Sequence, residues 1–160
     1  MADPTAFPPT AVAELFASLL GRKVTANPAA PLAPQATPAV LVAEYRSEAG
    51  AIEALCLCDA SLACNLAAAL TMIPAGTAAE SAKKGRVEGS LAENFQELMN
   101  ILATLYNRPE RTHVHLRKVH LPGTVLPGEI TDAFAILTSR LPIELDIASY
   151  AGGRLTFASR

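Results

Sequence analysis

Near the middle of this chain the hydrophobic period changes, and that change constrains the fold more than any other feature. From Ser90 to Asn107, Leu91, Phe95, Leu98, Leu102 and Leu105 recur at spacings of four and three, with Met99 and Tyr106 beside them. One continuous stripe of this kind belongs to a helix lying against a core. After Arg108-Pro109 the period falls to about two, as in strands with one buried face. Ser90 followed by Glu93 has the form of a capping box and marks the helix start.

The flanking sequence adds further elements of both kinds. Val12, Leu15, Phe16, Leu19 and Leu20 share one face of a first helix that Gly21 ends, and residues 22–26 can add a short strand. Residues 27–38 are rich in Pro and Ala and read as an extended connector. The apolar runs 40–45 and 51–57, separated by Arg46-Ser47-Glu48-Ala49-Gly50, predict a hairpin. Asp59 or Ser61 then caps a very apolar helix through Leu70, and the polar stretch 77–89 reads as a loop or a frayed helical turn.

In the C-terminal half, residues 112–121 alternate with Val114 and Leu116 on one face. The apolar set resumes at Val119 and Leu121, out by one residue, which predicts a bulge near Arg117-Lys118. Strands are expected at 133–138, 143–148 and 155–158, the last entered by a tight turn at Ala151-Gly152-Gly153. No internal repeat is present. Antiparallel strands beside a few helices point to an α+β fold in which helices cover the sheet.

With 160 residues the chain suits one core, hence a single domain. A net charge of −2 argues against non-specific nucleic-acid binding, which needs a concentrated basic footprint. No stretch approaches the ~20 consecutive apolar residues of a membrane span, and Met1-Ala2-Asp3-Pro4 lacks the basic start of a secretion signal, so a cytoplasmic protein is expected. Cys56, Cys58 and Cys64 lack paired C-x-x-C spacing and read as buried reduced thiols.

Chemistry enters on the polar face of the 90–107 helix, where Glu93, Glu97, Asn100, Thr104 and Asn107 form the stripe opposite the apolar one. A Glu and an Asn three apart can address one small target together. The segment Glu97-Leu98-Met99-Asn100-Ile101 resembles the E-x-x-N-I motif of the CheC/CheX/FliY chemotaxis phosphatases, and its single copy resembles CheX. Those proteins remove phosphate from receiver-type response regulators. The resemblance implies that Glu97 contacts a receiver lysine and fixes docking, while Asn100 orients the water that attacks the aspartyl phosphate. Glu93, Gln96, Thr104 and Asn107 would form the surrounding docking surface. Mg²⁺ would belong to the receiver, so no cofactor is expected in this chain, and a homodimer is compatible with the pattern. The family usually continues N-I-x-x-G, whereas Thr104 stands here in place of the glycine. The added bulk favours a second reading, a non-catalytic signalling protein that docks a partner through the same face.

A third reading places a metal on His113, His115 and His120, which the bulge can bring to one face. Three ligands spread along one strand close poorly around one ion, because alternate side chains stand ~6 to 7 Å apart. Self-contained enzyme chemistry lacks its carriers: the chain has no G-x-x-x-x-G-K-[ST] loop, no G-x-G-x-x-G and no G-x-S-x-G elbow.

Overall fold

A computed structural model describes residues 6–34 and 39–160. In chain order the elements are α1 (Pro9–Leu20), β1 (Val24–Pro28), β2 (Val40–Ser47), β3 (Ile52–Asp59), α2 (Ala60–Leu70), α3 (Ala75–Lys84) and α4 (Ser90–Tyr106). They continue with β4 (Val114–His120), α5 (Gly128–Ile136), β5 (Ser139–Ile147) and β6 (Gly153–Ser159). The strands form one six-stranded sheet in the order β1-β5-β6-β3-β2-β4, with every pair antiparallel. The expected α+β architecture, a sheet covered by helices, is the one observed.

Two apolar layers flank the sheet. On one face Tyr45, Cys56, Cys58 and Phe157 join α1, α2 and α4 in the larger core, and on the other Val42, Leu55 and Leu57 meet Leu32 and the α5 residues Ile130 and Ala133. Strand β3 is covered on both sides, which explains why Ala54-Leu55-Cys56-Leu57-Cys58 is a continuous apolar run rather than an alternation. The small side chains of α2 are buried from Leu62 to Ala69, so this helix lies deep between the sheet and its neighbours. All three cysteines are free and buried.

Of the two capping candidates for α2, Asp59 takes the role: Oδ1 accepts from the Leu62 N–H at 2.8 Å, and Oδ2 accepts from the Arg154 N–H at 3.0 Å. The carboxylate thus ties the helix start to β6. A Cβ at Gly153 would come within 2.3 Å of Asp59 Oδ1 and 2.6 Å of the Leu62 nitrogen, so only glycine fits where β6 passes the cap.

The bulge falls where the strand parity requires it. Lys118 pairs with Glu44 and Leu116 with Tyr45, leaving Arg117 without a partner on β2. Val114, Leu116 and Val119 therefore share the face toward α4, although their spacing is two and then three.

Four expectations are corrected. Residues 77–89, expected as a loop or a frayed helical turn, belong for most of their length to the regular helix α3, whose only buried residue is Ala78. Its Ala-rich sequence, with Glu80, Lys83 and Lys84, favours a helix but has no stripe of large apolar residues to announce it. Residues 133–138 are not a strand: Ile130, Ala133 and Leu137 sit on the buried side of α5 and its C-cap, at helical spacing. Strand β5 instead begins at Ser139 and runs through Pro142. The Pro142 oxygen accepts from the Ala29 N–H just past the end of β1, so the donor that proline lacks falls where that ladder stops. The capping box also does not form: Gly89 is the N-cap of α4, at φ 59°, and Ser90 is already helical. Of the connector 27–38, Asn27 and Pro28 complete β1, Leu32 is buried with its N–H on Thr156 Oγ1, and residues 35–38 lie outside the described residues.

Candidate functional site

Helix α4 is fixed to the body at both ends and in the middle. Near its start, Asn94 Nδ2 donates to the Ala67 carbonyl at 2.9 Å and to Thr71 Oγ1 at 2.8 Å, which locks it to α2. At its centre the Tyr45 hydroxyl donates to the Met99 carbonyl at 2.7 Å. Burial, with the Cys56 and Cys58 thiols nearby, pushes the Tyr45 phenol well above its usual pKa, so it stays protonated and remains a donor. Beyond its end, Asn107 both donates to the Val114 carbonyl and accepts from the Val114 N–H, each at 2.8 Å. Between these anchors Leu91, Phe95, Leu98, Met99 and Leu102 are buried, each contributing about 1.5–3 kcal/mol of burial. The helix cannot roll, and its polar stripe faces outward.

That stripe and the edge strand β4 enclose a groove of about 340 Å³ lined by Glu93, Gln96, Glu97, Asn100 and Leu116. Four of the six predicted site residues thus meet in one concavity, and the fifth lining residue comes from β4. All four polar side chains are exposed, so none is engaged in the core. The lining holds two carboxylates and no cation. Thr104 is exposed one turn further along, its hydroxyl donating to the Ile101 carbonyl at 2.7 Å. Asn107 is different: it is half-buried and both its amide groups are bound to Val114, so it holds the groove together rather than presenting a free amide.

A polar cluster that periodicity does not reveal lies on the opposite face of the sheet. Glu44 and His120 are both buried, with His120 Nε2 and Glu44 Oε1 2.8 Å apart, and Arg46 Nε bonds the other carboxylate oxygen. Burial pushes the Glu44 carboxyl up, but the hydrogen bonds from His120 and Arg46 and the nearby Arg46 charge outweigh it and hold Glu44 below the usual carboxylate range. The only sequence signal was a charged residue inside an apolar strand. His115, opposite Arg46, lies on the same face, but His113 precedes β4 and is exposed. Among the described residues no group of three His, Cys, Asp or Glu side chains could hold a metal ion. Burial pushes the Cys64 thiol up to about 11 and the Cys58 thiol well above its usual value, which leaves both unreactive.

No protein-family model and no curated protein matches the chain. Solved structures do. The FliM middle domain from H. pylori aligns with a TM-score of 0.50 at 7% identity, over 94% of this chain and 84% of that one. FliY from Thermotoga maritima aligns with a TM-score of 0.50 at 16% identity, over 92% and 81%. A chain of the FliG–FliM complex from H. pylori gives 0.52 at 9% identity, over 94% and 85%. At such identities the likeness speaks for architecture alone. The six-stranded antiparallel sheet with its covering helices is the fold of FliY and of the FliM middle domain.

Proposed function

We propose that the α4 groove docks the phosphorylated receiver domain of a response regulator and promotes hydrolysis of its aspartyl phosphate, in the manner of CheX. The Asn100 amide orients the attacking water, and Glu97 fixes the docked receiver through its lysine. The observation that carries this reading is the groove itself, in which Glu97 and Asn100 share one lining with Glu93, Gln96 and Leu116. Phosphoryl transfer needs positioning and charge stabilisation more than a strong base, and an amide on a rigid helix supplies positioning.

The charge of the groove narrows the substrate. Two carboxylates without a cation repel a free phosphate monoester, but they tolerate a phosphoryl group already neutralised by its host's Mg²⁺ and lysine. The receiver would supply both, so this chain needs no metal of its own. A cytoplasmic setting goes with such a partner, and among the described residues no helix is long and apolar enough to cross a membrane.

A second reading, docking without hydrolysis, is favoured by Thr104. Its exposed side chain stands one turn from Asn100, where the resembling family has glycine, and holds a partner backbone further off. One of the similar structures is a FliG–FliM complex, which fits a fold that serves protein partners. The deciding measurement is the decay of phosphate on candidate receivers loaded with a small phosphodonor and Mg²⁺. Acceleration by this chain, lost in Asn100→Ala while binding persists, is the expected result. Equal rates for the two proteins sink the role of Asn100, and stable binding to a receiver that stays phosphorylated establishes the docking reading.

A further inference from the structure

The face of the sheet away from α4 carries a second cavity, of about 440 Å³, between the β2–β4 pair and the start of α5. Its floor is the buried Glu44–His120 pair, its rim holds Arg117 and Lys118, and its far wall is Pro127 and Glu129. In a regular strand Arg117 and Lys118 would point to opposite faces of the sheet. The bulge at Arg117 lets both line this cavity, three and two positions before His120, and so concentrates three basic side chains around it.

We propose that this cavity binds a small phosphate-bearing anion, its phosphoryl oxygens received by Arg117, Lys118, His120 Nδ1 and the N-terminus of α5. Each part of the arrangement suits that ligand. His120 lines the cavity and is 6% exposed, its Nε2 is held by Glu44, and Nδ1 has no hydrogen-bond partner among the described residues and is not fully sealed from solvent. The α5 helix spans 9 residues and has no side-chain cap; the Ile130 N–H donates to the Pro127 carbonyl, and the Gly128 and Glu129 N–H groups ahead of it are open to an anion. The two carboxylates do not cancel the field: Glu44 and Glu129, both bonded by Arg46, face three cations, Arg46, Arg117 and Lys118, and the last two are exposed and without ion pairs among the described residues. The Arg46 Nη1 group is anchored on the Gly50 carbonyl at 2.7 Å, so this residue frames the cavity rather than reaching into it. The volume exceeds that of a phosphate ion and leaves room for an organic moiety of small-metabolite size.

The test is a titration of the full chain at low ionic strength with inorganic phosphate and with glycerol 3-phosphate. Binding is read by calorimetry and by the NMR resonances of the His120 ring and the Gly128 and Glu129 amides. Saturable one-site binding that moves those resonances is expected. It should weaken at least tenfold in the Arg117→Ala/Lys118→Ala variant, whose exposed positions spare the core, and persist in Lys83→Ala/Lys84→Ala. Tighter binding of glycerol 3-phosphate assigns the remaining volume to the organic moiety, whereas equal affinity makes the phosphate ion itself the ligand. Shifts that grow without saturating, or that are unchanged in the Arg117→Ala/Lys118→Ala variant, overturn the proposal. Neither result bears on the Asn100 groove, which lies across the sheet.

Discussion

At the scale of single residues, polar side chains in this protein divide into those that hold the frame and those left free to act. Asn94 and Asn107 have their amides bound to backbone or side-chain partners, whereas Gln96 and Asn100 are exposed on the same helix. Sequence treats these amides alike, and only their neighbours distinguish them. Glu44 belongs to the frame, and its ionisation links it to acid stability. Its folded pKa lies below the ordinary 4.5, so it contributes stability that is fully present above 4.5 and is lost as pH falls through the lowered folded value. Glu44→Gln should therefore be less stable than the parent at neutral pH, with the gap closing as the pH drops below 4.5. Urea unfolding across that range checks it, and a gap that stays constant with pH would show that the Glu44 charge does not matter.

Among the elements, β4 carries a change of parity, because one residue in it has no partner on β2. Removing Arg117 would restore plain alternation, with Leu116, Lys118, Val119 and His120 keeping their partners on β2 and His120 its bond to Glu44. Deletion of Arg117 should therefore cost ~1 kcal/mol or less, and Arg117→Ala, an exposed substitution, should stay within ~0.5 kcal/mol. Thermal unfolding of the two variants separates a bulge that is needed from one that is merely tolerated. The bulge itself was legible in the sequence, since the shift from Val114 and Leu116 to Val119 and Leu121 has no other simple cause in a strand. Helices α3 and α5 were not legible. The first buries only Ala78, and the second is 9 residues long with an apolar set that a strand could equally display.

For the molecule as a whole, stability is concentrated where both sides of an element are covered. Strand β3 and helix α2 lie inside, α4 is anchored at three points, and α3 lies along α2 with Ala78 buried, Ala82 partly covered and its other side chains mostly exposed. Hydrogen exchange should follow that order, with α3 amides exchanging well before those of α2 and α4. Equal protection of all three helices would mean that α3 unfolds only with the rest. This distribution also suits the groove, because a helix that positions a water for in-line attack must hold its place to within a fraction of an ångström.

The sequence by itself determined the class of the fold, the two faces of α4, the hairpin of β2 and β3, and the phase change in β4. Each is written in the spacing of apolar residues along one element, and that spacing acts locally. Tertiary structure alone decided that Leu116 closes the groove beside Asn100, that Asn107 is a clasp, and that Glu44 meets His120 across the β2–β4 pair. Those outcomes depend on which strands become neighbours and in what register. Register is set by the packing of both sheet faces together, so no single stretch of the chain encodes it.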